Sequence, residues 1–106
     1  MVQKCTIERW MHSEFGLSGN KLYAYALVFS NPGDNLTSTD VGDFFGWSKR
    51  NALKELQFLK EEGYIKSENA KIYVKSKRQM VTYTFYHPIY VADVRKKLAK
   101  RGKTDG

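Results

Sequence analysis

A chain of 106 residues with a hydrophobic fraction of 42%, seven Tyr, six Phe and two Trp can form one folded domain with a single modest core, which excludes a disordered protein. Because Cys5 is the single cysteine, an intrachain disulfide and a cysteine-based metal site are excluded, and a reducing, cytoplasmic location is expected. No apolar run approaches the roughly 20 residues that span a bilayer, and the N-terminus lacks the apolar core of a signal peptide, so no membrane partner is expected.

The net charge of +7 is concentrated in the C-terminal part of the chain. Residues 66–106 contain 11 Lys or Arg against three acidic residues, Glu68, Asp93 and Asp105, and so carry +8, which leaves −1 for residues 1–65. This asymmetry predicts that an anionic partner is attracted mainly to the C-terminal part. A basic surface that serves only solubility is the alternative.

Two helices are predicted in the first third of the chain. Residues 2–9 mix apolar with polar side chains, and the pattern leaves strand and loop open. A short helix that packs on the core is indicated by three large apolar residues ahead of Gly16, which are Trp10, Met11 and Phe15. A longer helix begins at the cap Ser18 and ends at the Asn-Pro-Gly-Asp breaker of residues 31–34. Its buried stripe is predicted to consist of Leu22, Tyr25, Ala26 and Phe29.

Residues 37–65 have the pattern of two helices joined by a tight turn. The first turn of the first helix holds four residues that can each cap it, Thr37, Ser38, Thr39 and Asp40. Gly46 then allows a left-handed backbone that ends this helix at little steric cost. Ser48 caps the second helix, predicted over residues 48–62, and Gly63 ends it. The core half of this unit is predicted to be Val41, Phe44, Phe45, Ala52, Leu56 and Leu59.

The hydrophobic period changes from 3.6 to 2 after the second helix of this unit. Residues 71–75 and 80–86 alternate as two antiparallel strands, and the basic loop of residues 76–79 between them fits a tip that lies along a phosphate backbone. A turn at residues 67–70 would make three strands, which leaves open which loop is the tip. Leu36 is a candidate for a single strand residue ahead of the two-helix unit.

Residues 91–106 are predicted to form a short basic helix followed by a tail. His87 and Pro88 break the last strand before it. The apolar residues that could line the helix are Val91, Val94 and Leu98. From Arg95 onward the chain is basic and then polar, so we expect it to fray or to lead into a further domain.

The order of two helices, a turn, a basic helix and a β-hairpin resembles the winged helix, a fold of DNA-binding proteins. Eight residues carry the similarity: Gly46, Trp47, Ser48, Ala52, Leu56, Leu59, Gly63 and Ile65. The resemblance implies an α+β fold over residues 1–90, with a three-helix core, a helix-turn-helix and a C-terminal β-hairpin wing. Leu53 departs from the pattern, because a polar, DNA-facing residue is common there, and this argues against base reading at that position.

Residues 10–30 are similar to the N-terminal winged-helix domain of replication proteins from phages and plasmids of Gram-positive bacteria, the replisome-organiser and DnaD-like group. The Trp-Met pair, the Gly-Leu before the long helix and the Tyr-Ala within it carry the similarity, which covers about residues 7–66. The resemblance implies a domain that binds origin DNA or self-associates, with replication proteins as further partners. The separate C-terminal domain that engages the helicase-loading machinery in that group is not matched, so loader recruitment is not implied.

The predicted contacts with double-stranded DNA fall into three groups. An α-helix fits the major groove, and its base-reading side chains are predicted to be Ser48, Lys49, Arg50, Asn51 and Lys54. The dipole of the first helix could hold a phosphate together with Thr37, Ser38 and Thr39. The hairpin is predicted to contact the backbone or minor groove through Lys75, Lys77 and Arg78. A basic face that is merely solvated is the alternative.

No enzyme, cofactor, metal site or small-molecule substrate is predicted. The sequence has no phosphate-cradling Gly-rich loop and no nucleophile elbow, and His12 and His87 are isolated. Core roles are expected for the large apolar residues Trp10, Trp47, Phe44, Phe45, Phe58 and Leu59. Tyr73, Tyr83 and Tyr86 could stack on bases, but the alternation of a half-buried hairpin already accounts for them.

Three functions remain open at this point. The first is a DNA-binding module of a replication initiator, and the second is the same fold in a transcriptional repressor. The third is a winged helix used for protein association, with Leu53 and the aromatic hairpin buried in a homodimer. The net charge favours DNA over protein as the partner.

Overall fold

The computed structural model describes residues 4–104, and side chains as far as Arg101. Over this range the chain forms five helices and one antiparallel hairpin, so the predicted α+β class is confirmed. In chain order the elements are α1 (Arg9–Ser13), α2 (Gly19–Ser30), α3 (Ser38–Phe45), α4 (Lys49–Glu61), β1 (Ile65–Val74), β2 (Gln79–Pro88) and α5 (Val91–Thr104). The predictions for Val2 and for the last two residues, Asp105 and Gly106, lie outside the described residues.

Helix α2 is the centre of the core. Five consecutive residues are buried, Ala24, Tyr25, Ala26, Leu27 and Val28. A single stripe was expected, but α2 contacts α1, α4 and β2, and residues 24–28 are buried on every side of the helix. Ser18 occupies the N-cap position as predicted, yet its side chain makes no capping hydrogen bond.

The N-terminal segment, which the sequence left open between strand and loop, has no regular secondary structure over residues 4–8. It is held against the end of α2 by side chains. Asn31 donates from Nδ2 to the Lys4 carbonyl at 2.6 Å, and Thr6 donates its N–H to the Ser30 Oγ at 3.0 Å. Asn31, expected only to break the helix, therefore also tethers the segment that precedes it.

The predicted ends of α3 and α4 are confirmed by their capping geometry. The Thr37 hydroxyl accepts from the Asp40 N–H at 3.2 Å, and the Thr37 N–H donates to the Asp40 carboxylate at 3.0 Å, which makes a capping box. Gly46 follows α3 with φ of 74°. Ser48 then caps α4, its Oγ accepting from the Asn51 N–H at 3.2 Å. These caps fix a short turn between two helices that pack on each other.

The core half of the α3–α4 unit is confirmed at four of its six positions, Val41, Ala52, Leu56 and Leu59, which are all fully buried. Phe45 is half-buried and stacks on Trp47, with ring centroids 4.6 Å apart. The prediction for Phe44 was wrong, because its side chain is 41% exposed. The face of α3 that meets α4 passes through Val41 and Gly42, and Phe44 lies away from it.

Gly42 is the closest point of α3 to the following turn. A Cβ added there would lie 2.9 Å from the Trp47 carbonyl oxygen, which is a backbone atom and cannot swing aside. We therefore expect Gly42→Ala to lower the free energy of unfolding by about 1–3 kcal/mol, despite alanine's better helix propensity. Urea denaturation measures this, with Asp43→Ala at the exposed neighbouring position as the control. Equal midpoints for the two variants would contradict it.

The two strands form one continuous hairpin. Its register pairs Ile65 with Pro88 at the base and Val74 with Gln79 near the tip, so the tip is the loop of residues 75–78. Because β1 runs unbroken through residues 67–70, the alternative turn there was wrong. The strand role of Leu36 is confirmed by its bridge to Tyr86, whose N–H donates to the Leu36 carbonyl at 2.8 Å.

Helix α5 is longer than the short helix predicted, and it replaces most of the expected tail. It has 14 residues and reaches Thr104, and Val94 on it is fully buried. Arg95 makes a bidentate ion pair with Glu14, and this hydrogen bond lowers the pKa of the Glu14 carboxyl. Across the described part of the chain, no helix is long and apolar enough to cross a bilayer.

Candidate nucleic-acid interface

The first turn and a half of α4 presents the residues predicted to read bases. Ser48, Lys49, Arg50, Asn51 and Lys54 are all exposed. No described carboxylate lies within ion-pair distance of the three cations among them. The ion pair that α4 does make, between Glu55 and Lys21 at 3.6 Å, holds its inner side to α2. The positive charge at the start of α4 is therefore available to a ligand.

The hairpin tip is a second exposed group of cations. Lys75, Lys77 and Arg78 are exposed, and the described residues provide none of them with a carboxylate partner. The Lys77 N–H donates to the Val74 carbonyl, and the Arg78 N–H donates to the Lys75 carbonyl, both at 3.2 Å. Arg78 has φ of 50°, a left-handed conformation that is uncommon for residues other than glycine. The tip is thus a tight turn that displays three positive side chains.

The N-terminus of α3 is less open than the sequence indicated. Of the three residues predicted to hold a phosphate, Thr39 is exposed, Thr37 is half-buried with its hydroxyl in the capping box, and Ser38 is buried. The Asp40 carboxylate already caps this end of the helix, and its negative charge opposes an anion there. A phosphate contact at α3 stays a prediction, and it would depend mainly on Thr39.

An open groove of about 780 Å³ separates α4 from the hairpin. Its apolar wall contains Leu53, Ile72, Val81, Tyr83 and Phe85, and Thr82, Thr84 and the largely buried Tyr86 of β2 also line the groove. Its polar wall consists of Asn35, Thr37, Ser38, Thr39, Asp40 and Lys49. The sequence analysis did not identify the groove as a site. Two signals were present in the sequence: Leu53 is apolar where a polar residue is common, and the period-2 alternation places Val81, Tyr83 and Phe85 on one face of the strand.

The three tyrosines considered for base stacking have different environments. Tyr83 lines the groove and is 36% exposed, whereas Tyr73 is 55% exposed on the opposite face of the hairpin. Tyr86 is buried at the hairpin base, and burial raises the pKa of its phenol. Tyr86 therefore belongs to the core and cannot stack on a base, which leaves Tyr83 and Tyr73.

The positive charge of the C-terminal part is divided between two distant places. The hairpin folds back along α4, so that Ile72 and Val81 near the tip share the groove with Lys49 at the start of α4. Helix α5 instead meets the other end of α4, where Arg101 contacts Glu62 at 3.4 Å. A helix of 13 residues is about 20 Å long. This exceeds the Debye length of about 8 Å at physiological salt, so α5 adds little to the field at the groove.

The two histidines have structural partners. The Nδ1 of His12 lies 2.8 Å from the Leu17 carbonyl oxygen, and the Nε2 of His87 lies 3.0 Å from the Glu68 carboxylate. Among the described residues, no group of three or more His, Cys, Asp or Glu is placed to hold a metal ion.

A scan against models of protein families found no match, and neither did a search of curated proteins.

Proposed function

We propose that the chain is a winged-helix module that binds double-stranded DNA. Helices α2, α3 and α4 form its three-helix core, α3 and α4 form the helix-turn-helix, and the β1–β2 hairpin is the wing. The single observation that carries the proposal is the exposed start of α4, where Lys49, Arg50 and Lys54 have no acidic partner among the described residues. Cations that are not used within the fold are suited to an external anion.

Helix α4 enters the major groove, which is about 12 Å wide and admits an α-helix. Arg50 and Asn51 suit guanine and adenine edges respectively, and Lys49 and Lys54 suit guanine or phosphate. The Ser48 hydroxyl is already engaged as the cap of α4, so its contribution is to fix the helix start. Leu53 is 40% exposed and offers an apolar contact, such as one with a thymine methyl group, and no hydrogen bond.

The hairpin tip contacts the phosphate backbone and sets the register of α4 on the duplex. Support comes from Arg78, because an arginine in a left-handed turn conformation is less favourable than glycine there. A side chain retained at a costly backbone position is consistent with a function for that side chain. Lys75 and Lys77 flank it with the same charge.

Duplex affinity measured against salt concentration tests this proposal. Five cations that suit phosphate, Lys49, Lys54, Lys75, Lys77 and Arg78, predict that log K falls with log salt with a slope of about −4 to −5. Changing Lys75 and Lys77 to Gln should make the slope less negative by about 1.8. The matched control changes Lys96 and Lys100 on α5 to Gln and should leave the slope nearly unchanged. A flat salt dependence of the native chain would contradict DNA binding.

The proposed module belongs to a replication initiation protein of a phage or plasmid, with repression of transcription as the alternative. The similarity of residues 10–30 to replisome-organiser and DnaD-like proteins supports replication. Both roles use the same protein surface, so the position of the bound site distinguishes them. Mapping the bound fragments on the replicon that encodes the chain should find them at the origin. Fragments confined to promoters would favour the repressor.

Self-association is a second candidate function, and the apolar wall of the groove favours it. Leu53, Ile72 and Tyr83 are all more than a third exposed, and exposed apolar groups that lie together often mark protein interfaces. Burial of this wall against a second copy would make a homodimer. Sedimentation velocity over a range of protein concentrations tests this, and a monomer at every concentration would exclude it.

A further inference from the structure

The two walls of the groove between α4 and the hairpin differ in chemistry. The hairpin wall is mainly apolar, with two aromatic rings beside Thr82 and Thr84. The α3 wall carries the hydroxyl groups of Thr37, Ser38 and Thr39 and the carboxylate of Asp40. Lys49 lines the same groove from the start of α4. Its volume of about 780 Å³ falls within the range of about 300–1,000 Å³ for small-ligand sites. The groove thus suits a ligand with a flat aromatic part, hydrogen-bonding groups and a negative charge that Lys49 attracts, while Asp40 disfavours that charge next to the start of α3.

The aromatic part of the wall is pre-formed. The rings of Tyr83 and Phe85 are nearly parallel, with an interplanar angle of 4° and centroids 6.2 Å apart. The two residues alternate with Thr84 along β2, which directs both to the same face of the hairpin. Residues 66–85 contain no fully buried position, so this face is not packed into the core of the chain. Tyr83 is the more exposed of the two, so its ring offers an oriented aromatic face, and such a face can stack on any base.

We propose that this groove binds a single strand of DNA, with an unpaired base stacked on Tyr83 beside Phe85. Thr39, the exposed hydroxyl residue of the α3 wall, faces the edge of the base, and Lys49 lies near the sugar-phosphate backbone. The stacking surface on the hairpin is distinct from the major-groove face of α4, although the groove shares Lys49 and Leu53 with that face. An unpaired base can stack on the hairpin whether or not the chain binds duplex DNA. The identity of the strand as DNA, and not RNA, rests on the proposed function.

Charge around the groove favours a polymer over a free nucleotide or a protein segment. The hairpin tip, with Lys75, Lys77 and Arg78, continues from the end of the groove at Ile72 and Val81. Arg50 and Lys54 lie beside the opposite wall on α4. A row of phosphates on either side of the stacked base would meet cations at both places, whereas a free nucleotide would reach only Lys49. An apolar peptide would leave all of these cations without a partner.

The test measures binding of a fluorescent thymidine oligonucleotide of about 12 residues to the full chain by anisotropy. Tyr83→Leu should weaken binding by about 5- to 150-fold, the range expected for loss of one stacked base. Tyr73→Leu is the matched control, because Tyr73 is exposed on the opposite face of the same hairpin, and its affinity should stay at the native value. Tyr83→Trp should restore binding, because it replaces one aromatic face with another.

The outcomes separate this proposal from duplex binding. If the chain binds duplex DNA but not the oligonucleotide, single-strand binding in the groove is wrong and the proposed function stands. If it binds the oligonucleotide but not duplex DNA, the proposed function is wrong and single-strand binding stands. Equal losses for Tyr83→Leu and Tyr73→Leu would overturn the stacking site. If thymidine monophosphate competes as well as the oligonucleotide, the ligand is a free nucleotide and not a polymer. If oligouridylate binds more tightly than the thymidine oligonucleotide, the ligand is RNA and not DNA. A native dimer that Tyr83→Leu converts to a monomer would overturn the single-strand site in favour of a second copy of the chain.

Discussion

Changing Lys49 and Arg50 together to Ala is expected to weaken binding to a specific duplex more than binding to a random duplex. Both side chains lie at the exposed start of α4, where they can reach base edges in the major groove. A good bidentate contact to a base contributes about 1–3 kcal/mol of discrimination, so losing one should raise Kd for the specific site by about 5- to 150-fold. Random duplex should lose only the contribution of the two charges.

This measurement needs a site selected from a random-sequence duplex library and a scrambled duplex of equal length. Anisotropy titrations with both should be made at one fixed salt concentration, because phosphate contacts make every Kd depend on salt. The control changes Lys96 and Lys100 to Ala, which removes the same charge from α5, the helix that meets the far end of α4. If specific and random affinities fall by the same factor, Lys49 and Arg50 contact only phosphates and the choice of bases lies elsewhere.

Leu56→Ala is expected to cause the largest loss of stability of any single change considered. Leu56 is fully buried on the inner face of α4, where α2 and α3 both pack. Truncating a buried leucine typically lowers the free energy of unfolding by about 2–5 kcal/mol, because contacts are lost and a cavity remains. Small domains have about 5–15 kcal/mol in total, so this one change removes a large share. Urea denaturation followed by circular dichroism measures it.

Leu53→Ala is the matched control, since it makes the same chemical change three residues away on the same helix. Leu53 is 40% exposed, so its truncation should cost well under about 1 kcal/mol. Equal losses for the two variants would mean that Leu53 is also buried in solution. That result would contradict an open groove and would indicate that a second copy covers it.

The positions of the helices could be predicted from the sequence because their ends depend on local chemistry. The second helix of the two-helix unit was expected over residues 48–62, and α4 runs over Lys49–Glu61 between its caps. Ser48 and Gly46 determine this boundary through a hydrogen bond and a left-handed turn that involve only neighbouring residues. Leu36 was placed correctly for a related reason, since a lone apolar residue before a cap suits one bridge to a strand.

The environments of Phe44 and α2 could not be predicted, because they depend on segments that are distant in sequence. Phe44 fits the apolar spacing of α3, but the face toward α4 is taken by Val41 and Gly42. The spacing along one helix does not specify which side a neighbouring helix will cover. In α2 the apolar spacing predicted too few buried residues. Contacts with α1, α4 and β2 bury residues that lie outside the predicted stripe.

By itself, the sequence determined the α+β class, the order of the helices, the caps of α3 and α4, the alternation of the hairpin and the concentration of positive charge after residue 65. Each of these follows from interactions within a few residues or from composition. Only the tertiary structure decided that the hairpin lies along α4 to form a groove and that α5 is held at the far end of α4. The physical reason is that burial and the position of charge depend on which surfaces pack together, and contacts such as Arg95 with Glu14 join residues 81 positions apart.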